Sequence, residues 1–279
     1  MERERFPEPR LPQDLEQLIF VRCASDWPSE PTSRLLLVAK RVHAWVRPIL
    51  FQVFRQAPPF FPDFKKYPSL QLKDVGRFTK HLIIGTSNLP EDTDFLLASC
   101  PNLHNFAFWS NHSFKDAFLA IQRLPLRRLS AILDELIPED FFSPVFSNLT
   151  HLDVISYKYD WDQWIPITSL PCLTHIAINN TQFEASVVSN LLLRIQLRAL
   201  IILLGENSHW IRRYPKGERF EVDDHRLVLM TNGSLTIMMD DWESGAKGGV
   251  DFWVTAELFS LARREVDQDI VRLVRGAKR

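Results

Sequence analysis

His151, Asp153 and Ser156 lie within six residues, and on paper they are the three side chains of a nucleophilic triad. Strand alternation argues against that reading. Residues two apart share a face, so His151 and Asp153 stand side by side, with no buried group implied to orient either one. A second possible chemistry is metal binding by His81, His151 and His175. Adjacent strands lie about 4.8 Å apart, so His151 and His175 could approach each other. No carboxylate or cysteine completes a three- or four-ligand set at the spacing zinc prefers. Solvated or peptide-contacting histidines are expected, and neither a metal nor a cofactor is. Asp160 and Asp162 around Trp161, and Asp240-Asp241 before Trp242, read as solvated surface carboxylates. Gly245-x-x-Gly248-Gly249 lacks the lysine–serine or lysine–threonine ending of a phosphate-binding loop. With no GxSxG or HExxH pattern either, the chain is expected to bind and not to catalyse.

The elements that must position these residues recur. Six cores of LxxLxL type begin at Thr79, Leu103, Leu126, Leu149, Leu173 and Leu197, in steps of 24, 23, 23, 24 and 24 residues. A fixed period of this length is the signature of leucine-rich repeats, whose solenoid offers a long concave face to a macromolecular partner. Strand alternation places His81, Asn105, Arg128, His151, His175 and Ala199 in one column of that face, with Ile83, Ala107, Ser130, Asp153, Ala177 and Ile201 beside it. Trp109 follows at the rim. The substrate-binding candidates are Trp109, Arg128, His151, Asp153 and His175, because aromatic residues and arginine dominate interface energetics. The alternative is an ordinary solvated sheet face.

On either side of the repeats the pattern changes. Residues 1–10 read as a disordered tail. Residues 11–55 read as three short helices. Pro12 suits the first turn of one, Thr32 or Ser33 caps a second, and Pro48 opens a third containing Ile49, Leu50, Val53 and Phe54. Residues 56–76 form a proline-rich linker stiffened by Phe60, Phe61 and Phe64. The repeats fill 77–205, and Pro90-Glu91-Asp92 and Pro138-Glu139-Asp140 supply acidic first turns to two return helices. Beyond them, 206–279 read as a cap: a β-hairpin turning at Asn232-Gly233, then a helix from Asp251 packed through Trp253, Leu258, Leu261, Val266 and Ile270. Terminal repeats need such a cover.

Bulk properties narrow the partners. Thirty-three basic residues against 34 acidic ones leave a formal charge of -1, so no global field recruits nucleic acid or anionic lipid. Cys23, Cys100 and Cys172 form no CxxC and are odd in number, which suits reduced thiols in the cytoplasm or nucleus. The start MERERFPEPR has no apolar run behind it, so a signal peptide is not expected. No membrane span is expected either.

Leu11-Pro12-x-Asp14-Leu15-x-x-x-Ile19-Phe20, then Leu35-Leu36-Leu37-Val38-Ala39-Lys40-Arg41 and Pro48-x-Leu50-Phe51, resemble the F-box motif. Val42 and Phe51 stand where many members carry tryptophan and keep those positions apolar. Followed by leucine-rich repeats, the chain is similar to the divergent F-box-like families of mushroom-forming fungi. The resemblance implies an α/β protein with an N-terminal three-helix F-box-like module, a leucine-rich-repeat solenoid and the hairpin-plus-helix cap. It also implies docking of a Skp-type adaptor, and through it a cullin ubiquitin ligase, by Leu11, Pro12, Leu15, Ile19, Leu36 and Val38. The repeats would then hold a protein substrate. The alternative is a leucine-rich-repeat interaction scaffold with no ligase association.

Overall fold

The strands are β1 (Val53–Gln56), β2 (His81–Ile84), β3 (Asn105–Phe108), β4 (Arg128–Ile132), β5 (His151–Ser156), β6 (His175–Ile178), β7 (Ala199–Gly205) and β8 (Leu227–Asn232). They form one sheet in which spatial order equals chain order and every neighbouring pair is parallel. The computed structural model describes residues 11–26, 30–85, 93–156, 161–179, 185–205 and 222–276. The expected tail at 1–10 and the acidic turn at 90–92 lie outside them.

Register ties the sheet to the site. His81 pairs with Asn105, Asn105 with Arg128, Arg128 with His151, and His151 with His175, so these side chains form one row across five strands. One residue along, Leu82, Phe106, Leu129, Leu152, Ile176 and Leu200 point to the opposite face, and none is more than 2% exposed. That face carries the main core. It is covered by α4 (Leu72–Val75), α5 (Thr93–Ala98), α6 (Phe114–Ile121), α7 (Trp161–Trp164), α8 (Ala185–Arg194) and 3-10 turns at Pro138–Phe142 and Pro144–Phe146. In α6 the Ser113 hydroxyl accepts from Lys115 N at 3.1 Å and caps an amphipathic turn that buries Phe114, Ala117, Phe118 and Ile121.

This architecture corrects the expected one. A single eight-stranded, all-parallel sheet alternating with helices takes the place of an F-box-like three-helix module followed by a leucine-rich-repeat solenoid. Two strands outside the repeats account for the difference. Val53 and Phe54 were expected to continue a helix from Ile49 and Leu50, but they belong to β1, where the Gln52 carbonyl accepts from Lys80 N at 2.8 Å and His81 N at 3.0 Å. The preceding helices, α1 (Gln13–Asp26), α2 (Glu30–Leu35) and α3 (Lys40–Leu50), therefore run straight into the sheet through Phe51, which lies in the main core. Pro48 sits within α3 and does not open a new helix. The residues after β1 fold back on it. Phe61 bridges Arg55, and Phe51 and Phe61 stack with ring centroids 6.0 Å apart.

The hairpin of the expected cap is also overturned, while its helix from Asp251 is present. β8 pairs parallel to β7, Leu200 opposite Leu227, and Leu235 begins a helix instead of a return strand. No non-glycine residue among those described has a positive φ, and the one such glycine is Gly248, not Gly233, so the expected hairpin turn has no backbone to form on. Met239, Trp242 and Ala246 fall three and four residues apart and are buried together. That spacing makes Leu235–Ala246 a helix, α9, lying across the sheet. Gly248, at φ 82°, ends it in the left-handed conformation that glycine adopts without strain, and Gly249 N reaches back to the Ser244 carbonyl at 2.9 Å. The last helix, α10 (Phe252–Gly276), starts at Asp251, whose Oδ1 accepts from Val254 N at 2.9 Å. It packs through Trp253, Ala256 and Ser260. Leu258, Leu261 and Val266, expected on that face, are exposed. Both helices lie on the face opposite the main core, so the sheet is sandwiched where an open concave surface was expected.

Candidate functional site

Two surfaces carry the residues singled out in the sequence. The first is on the N-terminal helices. Ala24, Val42 and Val46 are their buried centre, with Phe20, Leu35, Leu36, Ala39, Trp45 and Ile49 packed around it. A bidentate pair from Arg41 to Glu16, at 2.8 and 3.0 Å, ties α3 to α1. Of the adaptor-docking candidates, Leu36 is half-buried in this packing, while Leu11, Pro12, Leu15, Ile19 and Val38 are exposed. Leu18 and Leu37, at 63% and 86% exposed, join them. These helices thus leave several large apolar side chains in water on α1 and the α2–α3 turn.

The second surface is the sheet face under α9 and α10. The five substrate-binding candidates come together here, and the C-terminal helices cover them. His151 and His175 stack in parallel, centroids 4.2 Å apart and planes 2° from coplanar, and the Trp253 ring meets both edge-on at 5.0 and 6.0 Å. Thr150 and Thr174 hydroxyls bond the Nδ1 atoms of the histidines that follow them, at 2.8 and 2.9 Å. Arg128 reaches the Asp251 carboxylate at 2.9 Å. Trp109 donates its indole N–H to Ser130 Oγ at 2.6 Å, and Ser130 donates on to Asp153 Oδ2 at 2.5 Å. The paper triad is not assembled, since Asp153 meets Ser130 and His151 meets Thr150 and His175. Nor do the histidines form a metal set. His81 lies three strands from His151, and no group of three or more His, Cys, Asp or Glu among the described residues is placed to hold a metal ion.

A cavity about the size of one water molecule sits where the sheet meets the α9–α10 junction, lined by Asn105, Arg128, Ser130, Asp153, Trp242 and Asp251 among others. Asp153 Oδ1 and Trp242 Nε1, both on its wall, are buried and meet no protein partner. Electrostatics under the helices reflect this burial. Desolvation raises the Asp153 carboxyl to about 7, against a smaller lowering by the Ser130 hydrogen bond. Desolvation also lowers His175 to about 4 and His151 further, the latter helped by the adjacent His175, so both rings are neutral near pH 7. Gly245 permits the tight junction. A Cβ there would lie 2.1 Å from Asp251 Oδ2.

Comparison with models of known protein families and with curated proteins returns no match. The site's meaning therefore rests on its own chemistry, and two arginines that the sequence reading passed over matter most. Arg55, buried on β1, bonds Asp240 at 2.6 Å and Glu243 at 2.9 Å on α9. Burial alone would lower its pKa, and the two carboxylates outweigh that and raise it. Arg198 pairs with Glu257 of α10 at 3.3 Å. Nothing local in the sequence joins these partners, which are 185, 188 and 59 residues apart. The one available signal was compositional, a carboxylate-rich stretch punctuated by Trp242 and Trp253. Replacing Asp240 and Glu243 together with alanine strands the Arg55 guanidinium with only the Pro58 carbonyl. A loss of about 3 kcal/mol is expected, at the low end for a broken buried pair because Asp240 is largely exposed. Urea titration reads this directly, and a loss below about 1 kcal/mol, within the range of surface pairs, would show that the clamp is not a buried one.

Proposed function

We propose that this chain is a non-catalytic substrate-recognition subunit of an SCF-type ubiquitin ligase. In this reading α1 and the α2–α3 turn dock a Skp-type adaptor, which connects to a cullin, and the sheet face engages a protein substrate. One observation carries the reading: Leu11, Leu15, Leu18, Ile19, Leu37 and Val38 stand exposed on helices whose own buried centre is only three residues. A soluble helical segment leaves a cluster of that kind in water when something else covers it. Each side chain buried on docking is worth roughly 1.5–3 kcal/mol. Four of the six adaptor residues that the F-box resemblance implies, Leu11, Leu15, Ile19 and Val38, belong to this exposed set. No helix among the described residues is long and apolar enough to cross a membrane.

Affinity capture with a recombinant Skp-type adaptor tests the proposal. The unmodified chain is expected to be retained. Ile19→Asp and the double variant Leu11→Ala/Pro12→Ala are expected to lose at least about tenfold in affinity, the effect of truncating one buried interface anchor. Because these side chains are solvent-facing, the circular dichroism of the variants should match that of the parent. No capture by the folded parent would sink the ligase reading and leave an interaction scaffold in its place.

A further inference from the structure

The ion pairs that join α9 and α10 to the sheet are sorted by element. Arg55 on β1, Arg128 on β4 and Arg198, next to the first residue of β7, belong to the sheet side. Their partners Asp240, Glu243 and Glu257 belong to the two C-terminal helices, and Asp251 caps the second of them. His175 also faces Glu257, at 3.9 Å. One pair runs the other way, Arg263 of α10 to Asp223 at 3.4 Å, and it lies outside the row, beside β8. A basic sheet face is thus covered by an acidic helical segment that adds two tryptophans, Trp242 and Trp253.

The cover is also distinct from the rest of the fold. The main hydrophobic core contains no residue of α9 or α10 among those described. The helices contribute instead to two small clusters, one around Met239, Trp242 and Ala246 and one around Trp253 and Ala256. Between them runs a polar seam. Arg55, Asn105, Ser130, Asp153, His175 and Asp251, six of the ten buried polar or charged residues among those described, lie at or under the helices. So do four of the six buried side-chain polar atoms that, among the described residues, lack a hydrogen-bond partner, on Arg55, Asp153, His175 and Trp242. Such groups cost free energy when buried unpaired, and segments held by few apolar contacts open ahead of the core.

We infer that α9 and α10 are an intramolecular stand-in for an acidic, aromatic-bearing peptide segment of a partner protein, which binds Arg55, Arg128 and Arg198 when the two helices lift away. The inference rests on the reading that the sheet face engages a protein, and it names the chemistry of that partner. Carboxylates spaced along that segment take the places of Asp240, Asp251 and Glu257, and an aromatic side chain takes that of Trp253 beside the stacked histidines. The cover makes the free chain self-occluded, so partner and C-terminal helices compete for the same three guanidinium groups. Competition of this kind lowers apparent affinity by the fraction of molecules that are open.

The test uses the full chain and a fluorescent synthetic peptide copying residues 235–266. A control peptide has Asp240, Glu243, Asp251 and Glu257 replaced by their amides. Titrations are made into the unmodified chain and into the variant Asp251→Asn/Glu257→Gln, which loosens the cover and leaves the sheet arginines in place. The acidic peptide is expected to bind the loosened chain at least tenfold more tightly than the unmodified one. The amide peptide should bind neither, and adding Arg128→Glu to the loosened chain should remove the gain. Equal binding of both peptides, or no gain on loosening, would overturn the inference. Native-state hydrogen exchange on the unmodified chain gives an arm that does not depend on any variant folding. Amides of α9 and α10 should exchange ahead of those in β3 to β6, and uniform protection across them would refute a separable cover. No adaptor is present in either assay, so a failed adaptor capture and a failed peptide titration remain distinguishable.

Discussion

Phe118→Ala is expected to destabilise the chain by about 3–5 kcal/mol, the range for removing a fully buried aromatic side chain from a core. Phe118 is 1% exposed on the sheet-facing side of α6. Its ring lies 6.2 Å from Phe114 and 5.8 Å from Phe146, and the run continues to Phe108 on one side and Phe141 on the other. Lys115 places its ammonium 5.7 Å from the centre of the same ring. Truncation removes transfer free energy and leaves a void between rings from three successive segments, which rigid neighbours refill poorly. Because the lost contacts join α6 to the 3-10 turns around Phe141 and Phe146, the effect should appear in global unfolding and not as fraying of one helix. At roughly 2 °C per kcal/mol for a chain of this size, the melting temperature should fall by about 6–10 °C. Phe118→Leu, which keeps most of the volume, should lose less than half as much. A loss below about 1 kcal/mol for the alanine variant would mean that the phenylalanine ladder collapses into the gap.

The strand rows were legible in the sequence for a physical reason. Each of the six cores carries apolar residues at alternate positions flanked by chain-reversing segments of near-constant length. The pairs His81–Asn105 through His175–Ala199 follow from that spacing alone. The two ends were not legible, because there local pattern and tertiary pairing disagree. Ile49, Leu50, Val53 and Phe54 fit a helical stripe, yet the open edge of β2 recruits Val53–Gln56 as a strand. Leu235–Met239 after Asn232-Gly233 reads as a return strand, yet the chain commits to helix because Met239, Trp242 and Ala246 find an apolar seat on Val53, Ile83 and Ala107. For the site, alternation brought Arg128, His151, Asp153 and His175 to one face. It could not show that the face is covered, because Asp240, Glu243, Asp251 and Glu257 lie far along the chain and no local signal points them at arginines. A buried Asp153 was the least legible feature. In a strand column an aspartate reads as a solvated polar residue, and only the lid of Trp242 and Trp253 makes it otherwise.

That burial yields the second large effect: Asp153→Asn should stabilise the chain at pH 8 and have little effect near pH 4. Asp153 is 2% exposed, accepts one hydrogen bond from Ser130, and leaves Oδ1 unpartnered in a cavity shared with Arg128, Asp251 and Trp242. Its folded-state pKa is raised from 3.8 to about 7, chiefly by desolvation. A carboxyl raised on folding binds more protons in the native than in the unfolded chain between those two values. Stability therefore falls as pH rises from about 4 to about 7, with the full penalty present above that window. Three units at 1.36 kcal/mol each set a ceiling of about 4 kcal/mol, and relaxation of the cavity should leave roughly 2–3 kcal/mol for the amide to recover. The buried histidines slope the opposite way. His81, His151 and His175 are all lowered from 6.5, largely by desolvation, so the unfolded chain takes up protons first and stability is lost as pH falls below about 6.5. In the parent the carboxyl offsets about one of the three histidine slopes between pH 4 and 6.5, so stability still climbs with pH, less steeply, and levels off above about pH 7. In Asp153→Asn the histidine trend stands alone, so stability should climb more steeply to pH 6.5 and then hold level to pH 8.5. Urea unfolding of both proteins at half-unit steps from pH 4.5 to 8.5 measures the difference. A gain that does not grow with pH, or a variant weaker than the parent at pH 8, would show that Asp153 is already ionised and compensated beneath α9 and α10.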